Sequence, residues 1–300
     1  MLKWHHVAIR SIFVTYSALL FCWSLLALVK YFNYLSYWLA YDILYLCCGL
    51  VSVGFGFSSL HGKMNEDAKR ARWFAIIMLI LTVGSIGKNI ALTVIVSIDL
   101  YEHTLPLINT AYWYVAAFVA ILVSLLILDV CAFVRFIQYR IYLGIVKITH
   151  NPKIHLNDTI RAYHKTLRII FFIYPIFLIV WSLLTLVDGF SDTLFNVSFW
   201  LGYEIVFVTV GLVTTGLDVR NGSNGSVSLD TRRSSTLSVF CVVLAIVALG
   251  KNIVHMVFAV YWFYAILIPL ILMDFVILIL LFIYRSKITI TMNLLAPDKK

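Results

Sequence analysis

Charged side chains are scarce in this sequence. Only 12% of its 300 residues are charged, whereas 62% are hydrophobic, and the mean hydropathy is +0.97. A soluble domain of this length could not bury so much apolar surface, so the composition excludes an ordinary soluble protein. The apolar runs also reach the roughly 20 residues that a helix needs to cross a bilayer. The sequence therefore predicts an integral membrane protein of the plasma membrane or an endomembrane.

Motifs that carry catalysis, metals or cofactors are also missing from the sequence. It contains no nucleophile elbow, no phosphate-binding loop and no zinc-type spacing of cysteine and histidine. Paired histidines within apolar runs, which haem ligation would require, are not found either. The five cysteines all lie in predicted spans, where a disulfide framework is not expected. We therefore expect no enzymatic activity, no cofactor and no metal site.

Acidic residues are fewer than basic ones, and the formal net charge is +9. No array of basic and aromatic residues lies on a soluble domain, so we expect no nucleic-acid partner. The basic residues instead fit the positive-inside rule. With eight spans, only Lys30 falls on the outer side, and Lys88 and Lys251 lie inside the membrane. This distribution predicts that both termini are cytosolic and that basic segments contact membrane lipids.

The apolar runs divide into eight predicted transmembrane helices, in two tandem sets of four. The first set occupies residues 1–137, with spans at about 12–29, 37–57, 73–96 and 111–136. A basic cytosolic linker follows at 138–166. The second set occupies residues 167–284, with spans at about 169–187, 197–217, 237–258 and 262–284, and residues 285–300 form a cytosolic tail. A tight turn near Val260-Tyr261 separates the last two spans.

The two sets of four spans resemble each other in sequence. Four pairs of motifs recur in the same order: Trp23–Val29 with Trp181–Val187, Trp38–Ile43 with Trp200–Ile205, Gly87–Ile90 with Gly250–Ile253, and Tyr112-Trp113 with Tyr261-Trp262. Four matches in one order indicate an internal duplication. Each unit has an even number of spans, so the copies have the same orientation. The predicted fold class is an all-α membrane protein with eight transmembrane helices as two parallel tandem four-helix repeats.

Two lysines lie deep inside apolar runs, where a charged side chain costs about 2.5–3.5 kcal/mol on insertion scales. Lys88 should share its depth with Asp42 of the neighbouring span, and Lys251 should share its depth with Glu204. We therefore predict two structural ion pairs, Asp42–Lys88 and Glu204–Lys251, which fix the rotation and depth of their helices. The alternative is that these pairs belong to a substrate or proton site.

Glycines mark the faces of the acidic spans that should point into the bundle. Asp42 and Gly49 share one helical face, and Glu204 and Gly211 do the same in the second repeat. A glycine allows a neighbouring helix to approach closely. The sequence thus predicts close helix packing at Gly49 and Gly211.

Two further acids, Asp129 and Asp274, lie within predicted spans, with no buried lysine left to pair with them. Three structural explanations are open: a neutral acid, hydrogen bonds to Ser, Tyr or Asn of another helix, or contact with arginines at the inner rim. The functional alternative is a proton or cation site. Asn89 and Asn252, which follow the two buried lysines, complete this candidate polar site.

The segment 221–235 is rich in glycine and serine, which predicts a flexible cytosolic loop. It ends in Arg232-Arg233-Ser234-Ser235, a string that resembles a basophilic kinase site. Ser235, with Ser234 beside it, is therefore a candidate phosphosite.

These motifs identify no family. In architecture alone the chain is similar to tandem four-span proteins of the MARVEL type, an analogy that assigns no role to any residue. We expect a non-enzymatic membrane protein that organises, sorts or assembles with other membrane components, including other membrane proteins or a second copy. The alternative is a transporter or channel for a small cation or proton that uses intramembrane carboxylates. A receptor is disfavoured because seven spans would break the charge pattern.

Overall fold

A computed structural model describes residues 2–26, 38–53, 66–103, 110–145, 158–184, 197–217, 229–258 and 264–295. This part of the chain is all helical, as predicted. Its eight helices are α1 (Leu2–Leu26), α2 (Trp38–Ser52), α3 (Glu66–His103), α4 (Thr110–Ile145), α5 (Asp158–Leu184), α6 (Val197–Gly216), α7 (Leu229–Phe258) and α8 (Tyr264–Leu295).

Six of these helices, α1, α3, α4, α5, α7 and α8, are long and apolar enough to cross a membrane. The other two, α2 and α6, have shorter apolar stretches, Trp38–Ser52 and Trp200–Gly216. At 1.5 Å per residue, a helix of 15 residues is about 22 Å long, which is less than the roughly 30 Å of a hydrocarbon core. The architecture is therefore that of an all-α, multi-pass membrane protein with six long helices and two short ones.

The helices pack as two rings of four. In the first ring α1 contacts α2, α2 contacts α3, α3 contacts α4, and α4 returns to α1. The helices α5, α6, α7 and α8 make the same four pairings in the same order. The rings meet through α1 against α6, α2 against α5 and α2 against α6. The two short helices therefore lie at the centre of the molecule, and the long pairs α3–α4 and α7–α8 lie at its flanks.

The flanking helices carry large apolar side chains on their outer faces. Ile80 on α3 is 68% exposed, and Ile127, Phe240 and Leu272 are more than half exposed on α4, α7 and α8. In the six long helices only 28–39% of the most apolar window is buried inside the protein. Exposed apolar surface on this scale is what a helix bundle presents to lipid tails.

Close packing occurs at both predicted glycines. A Cβ atom at Gly49 of α2 would overlap the ring of Phe13 on α1, and a Cβ atom at Gly211 of α6 would overlap the ring of Phe171 on α5. The side chains of Phe13 and Phe171 are both fully buried. Gly87, in contrast, has no atom within 4 Å of such a Cβ. The acidic helices thus need glycine where α1 and α5 cross them.

Several helices extend beyond the predicted spans. The helix α4 continues to Ile145, α7 begins at Leu229, and α8 continues to Leu295. A span predicted from hydropathy ends where polar residues begin, whereas the hydrogen-bonded backbone of the helix continues through them. The prediction of a flexible loop is wrong from Leu229 onward, because this stretch forms the first turns of α7, with Asp230 placed favourably at the positive end of the helix dipole. The predicted turn at Val260-Tyr261 lies outside the described residues.

Candidate functional site: two buried polar networks

The structure brings both buried lysines onto their predicted partners. The Nζ atom of Lys88 on α3 contacts Oδ1 of Asp42 on α2, and Nζ of Lys251 on α7 contacts Oε1 of Glu204 on α6. Both acids are fully buried, and the lysines are only 7% and 6% exposed. Each pair therefore joins a short central helix to a long flanking helix by a desolvated charge contact.

Aromatic rings cover both ammonium groups. Lys88 Nζ lies 5.3 Å from the ring centroid of Trp23 and 5.9 Å from that of Tyr41. Lys251 Nζ lies 4.8 Å from the ring centroid of Trp181. Cations at such distances are attracted by the ring face, by about 2 kcal/mol when desolvated. The tryptophans of the recurring motif in α1 and α5 thus enclose the ion pairs.

A chain of hydroxyl groups links the first ion pair to Asp129 on α4. The Tyr16 hydroxyl of α1 donates to Asp42 Oδ1 at 2.7 Å and lies 3.1 Å from Ser85 Oγ. Ser85 Oγ in turn donates to Asp129 Oδ2 at 2.9 Å. The amide of Asn89 also donates to Asp129 Oδ2, at 2.7 Å. One network therefore connects all four helices of the first ring.

We call this set the first network, and its members are Tyr16, Asp42, Ser85, Lys88, Asn89 and Asp129. Of the three structural explanations left open by the sequence, the contacts of Asp129 correspond to the second, hydrogen bonds from Ser and Asn of another helix.

The second network repeats this arrangement with one link fewer, and its members are Tyr174, Glu204, Lys251, Asn252 and Asp274. The Tyr174 hydroxyl of α5 donates to Glu204 Oε2 at 2.8 Å, and the Asn252 amide donates to Asp274 Oδ2 at 2.7 Å. The same tyrosine also interacts electrostatically with Asp274. Ala248 occupies the place of Ser85, so the serine relay of the first network is absent from this position of the second.

The two networks therefore have different surroundings. Aligning the recurring motifs of α2 and α3 with those of α6 and α7 shows that three hydroxyl side chains near Asp129 in the first ring have no counterpart in the second. The matched pairs are Tyr45 with Phe207, Thr82 with Ala245, and Ser85 with Ala248. The Tyr45 hydroxyl lies near Thr82 and Asp129 but forms no hydrogen bond within the described residues. The first network is thus richer in oxygen atoms.

Within the described residues, several buried oxygen atoms of these networks accept no hydrogen bond. They are Asp42 Oδ2, Asn89 Oδ1 and Asp129 Oδ1 in the first network, and Asn252 Oδ1 and Asp274 Oδ1 in the second. All five are carboxylate or amide acceptors. Buried polar atoms in proteins normally have a partner, so a group that donates a positive charge or a proton would fit both networks.

A second set of contacts lies where the short central helices end. Arg10 on α1 donates to the Val53 carbonyl at 3.0 Å and to the Gly216 carbonyl, and Arg168 on α5 donates to the Val51 carbonyl at 2.9 Å. Cations stabilise the C-terminal end of a helix, because its last carbonyls lack partners within the helix. Each arginine contacts the opposite ring, so these bonds also hold the two rings together.

Sequence reasoning missed the tyrosines, Ser85 and the two arginines as members of these sites. A signal for some of them was present: Tyr16 and Tyr174 precede the recurring tryptophans by the same spacing, as do Arg10 and Arg168. The recurrence therefore extends over most of α1 and α5. Ser85 gives no such signal, because its counterpart is alanine.

The candidate phosphosite residues lie in the second turn of α7. Ser234 is fully buried, 2.7 Å from the Tyr284 hydroxyl, and donates to the Thr214 carbonyl at 3.2 Å. Ser235 is half-buried, and its carbonyl accepts a hydrogen bond from Ser238. Phosphorylation at Ser235 stays a prediction, and Ser234 would have to leave its site before a kinase could reach it.

Metal binding by histidine, cysteine or several acids has no candidate in the part of the chain that the structure describes, where no group of three or more such side chains is suitably placed. No protein-family model, no curated protein and no solved structure matches this chain. The functional argument therefore rests on the geometry of the two networks and of the apolar helix faces. That geometry belongs to a helical, multi-pass membrane protein.

Proposed function

We propose that this chain is a non-enzymatic, eight-span membrane protein that organises, sorts or assembles with other membrane components. The observation that carries this proposal is the placement of the buried charges. Each lysine is matched by an acid within its own ring and covered by aromatic side chains. Such pairs hold neighbouring helices in one rotation and depth, which is the property of a rigid scaffold.

We further propose that the two rings are parallel tandem repeats with cytosolic termini. Equivalent contacts at matching positions support this. The Tyr41 hydroxyl donates to the Leu81 carbonyl at 2.5 Å, and the Tyr203 hydroxyl donates to the Leu244 carbonyl at the same distance. The helix pairings of the two rings also correspond. A short α2 and a short α6 would cross the membrane at the centre, where protein rather than lipid surrounds their ends.

The partners that fit this architecture are membrane lipids, other membrane proteins or a second copy of the chain. The support is the outer surface of α3, α4, α7 and α8, where apolar side chains such as Ile80 and Leu272 are exposed. Within a membrane such surfaces associate through close packing rather than through the hydrophobic effect.

The test is to extract the full chain from its native membrane into lipid nanodiscs without detergent and to measure the mass of the particles. The proposal predicts that most particles contain a second copy or other membrane proteins, in ratios that persist on dilution. In parallel, liposomes containing the purified chain should carry no more proton, sodium or potassium flux than empty liposomes. Particles with a single chain, together with a clear ion flux, would overturn the proposal.

A transporter or channel for a proton or small cation is the second candidate. The observation that favours it is the set of buried acceptor oxygens on Asp129 and Asp274 that receive no hydrogen bond. A moving positive charge would need such acceptors. The flux measurement decides this candidate, with Asp129→Asn and Asp274→Asn as the variants that should abolish any flux.

A further inference from the structure

Each buried network contains one more carboxylate than ammonium group. In the first network Asp129 interacts electrostatically with the acid Asp42 and with one cation, Lys88. If both acids are ionised, the fully buried cluster carries a net negative charge. Such a charge is expensive in a medium of low dielectric unless another positive charge neutralises it.

The unsatisfied atoms point to the same missing charge. In the first network Asp42 Oδ2, Asn89 Oδ1 and Asp129 Oδ1 accept no hydrogen bond from any residue that the structure describes, and all three residues are fully buried. An anion or an apolar molecule would satisfy none of these oxygens. A water molecule would donate hydrogen bonds to them but bring no charge. A proton or a hard monovalent cation also brings the missing positive charge, and carboxylate, amide and hydroxyl oxygens are the ligands of hard cations. A divalent cation would leave the cluster with a net positive charge.

The second network offers a poorer site for a metal cation. Both carboxylate oxygens of Glu204 are already bonded, one to Lys251 and the other to Tyr174. Phenylalanine and alanine replace the three hydroxyl side chains that surround Asp129 in the first ring. The second network therefore serves as a built-in comparison for the first.

We propose that the first network is a binding site for one monovalent positive charge, a proton or an alkali-metal cation, held by oxygens of Asp129 and Asn89. For a metal cation, the second network is not an equivalent site. This binding does not depend on the assembly role proposed above, and the transport alternative would require it.

The titratable and charged groups around Asp129 come from three helices. Tyr16 lies on α1, and Lys88 lies on α3. The acid Asp42 lies on α2, as do Tyr41 and Tyr45. A charge bound at Asp129 is therefore repelled by Lys88 and attracted by Asp42.

The experiment is thermal unfolding of the purified full chain in lipid–detergent micelles. Sodium or potassium chloride is titrated against N-methylglucamine chloride at constant ionic strength, and the series is repeated from pH 5.5 to 8.5. A ligand that binds the folded state raises the Tm as its concentration increases. A Tm that rises with sodium or potassium at fixed pH identifies a metal cation. A Tm that depends on pH alone, falling as the pH rises, identifies a proton.

Variants assign the effect to one network. Asp129→Asn should abolish the dependence on cation, and the matched variant Asp274→Asn should retain most of it. Ser85→Ala introduces the residue that the second ring already carries, so it should fold and weaken the apparent affinity for a metal cation about tenfold. A proton gives the opposite sign, because Ser85 donates to the ionised Asp129 carboxylate, so its removal moves the midpoint to higher pH by about one unit.

Three results would overturn the proposal. The wild-type Tm could depend on neither the cation nor the pH. Ser85→Ala could show the same dependence as the wild type, which would show that the first network is not involved even if Asp129→Asn fails to fold. Asp274→Asn could also lose the cation dependence as completely as Asp129→Asn, which would make the two networks equivalent.

Discussion

Removing one partner of a buried ion pair should cost far more than removing both. In Lys88→Met the Asp42 carboxylate stays fully buried, and in Asp42→Asn the ammonium stays enclosed by aromatic rings. Breaking a buried pair in this way typically costs about 3–5 kcal/mol, whereas replacing both partners is often close to neutral. The double variant keeps an oxygen that can accept the Tyr16 hydroxyl bond. We therefore expect it to be more stable than the sum of the single variants by at least about 2 kcal/mol.

The assay is the free energy of unfolding in lipid bicelles, measured by steric trapping for the wild type, both single variants and the double variant. Asp42→Asn combined with Lys251→Met provides the control, because these residues lie in different rings and their effects should add within about 0.5 kcal/mol. If the Asp42–Lys88 cycle is also additive within that margin, the ion pair does not stabilise the fold, and the scaffold argument loses its main support.

Three further predictions concern packing and helix ends. Gly49→Ala should destabilise the protein by about 1–3 kcal/mol, because its methyl group overlaps the buried Phe13 ring, whereas Gly87→Ala should be neutral or stabilising; unfolding of both variants in bicelles checks this. Arg168→Ala should cost about 1–3 kcal/mol and weaken the contact between rings, seen as faster limited proteolysis; unchanged kinetics would contradict it. Ser234→Asp should lower the Tm more than Ser234→Ala, because it buries a charge; equal shifts would refute this.

The sequence permits prediction of the ion pairs because a charge inside a membrane needs a partner at its own depth. The chain has four intramembrane acids and two intramembrane lysines, on helices whose direction through the membrane can be predicted. Few of the possible pairings place an acid and a lysine at the same depth. Gly49 and Gly211 were predictable for a similar reason, since a helix face that carries a buried acid must point into the protein. These arguments use only helical periodicity and the cost of desolvation.

Other parts of the site depend on packing that no local pattern encodes. Tyr16 recurs as Tyr174 in the second repeat, but its spacing alone does not show which side chain it contacts, and Ser85 has no such recurrence because its counterpart is alanine. The sequence around Arg10 is typical of the cytosolic flank of a span. Its contact with the ends of α2 and α6 forms only when the two rings of helices pack together. Helix ends were missed because hydropathy reports the membrane boundary, while α7 and α8 continue past it.

The most direct test of the account is to determine the sides of the membrane on which the two ends of α2 and of α6 lie. The five native cysteines are first replaced. Single cysteines are then introduced at Lys30 and His61, which flank α2, and at Asp192 and Asn221, which flank α6, and a membrane-impermeant thiol reagent is applied from each side. The account predicts labelling at Lys30 and Asp192 from the outside only, and at His61 and Asn221 from the cytosol only. Labelling of both members of either pair from the same side would show that the short helix does not cross, and would contradict the eight-span, two-repeat architecture.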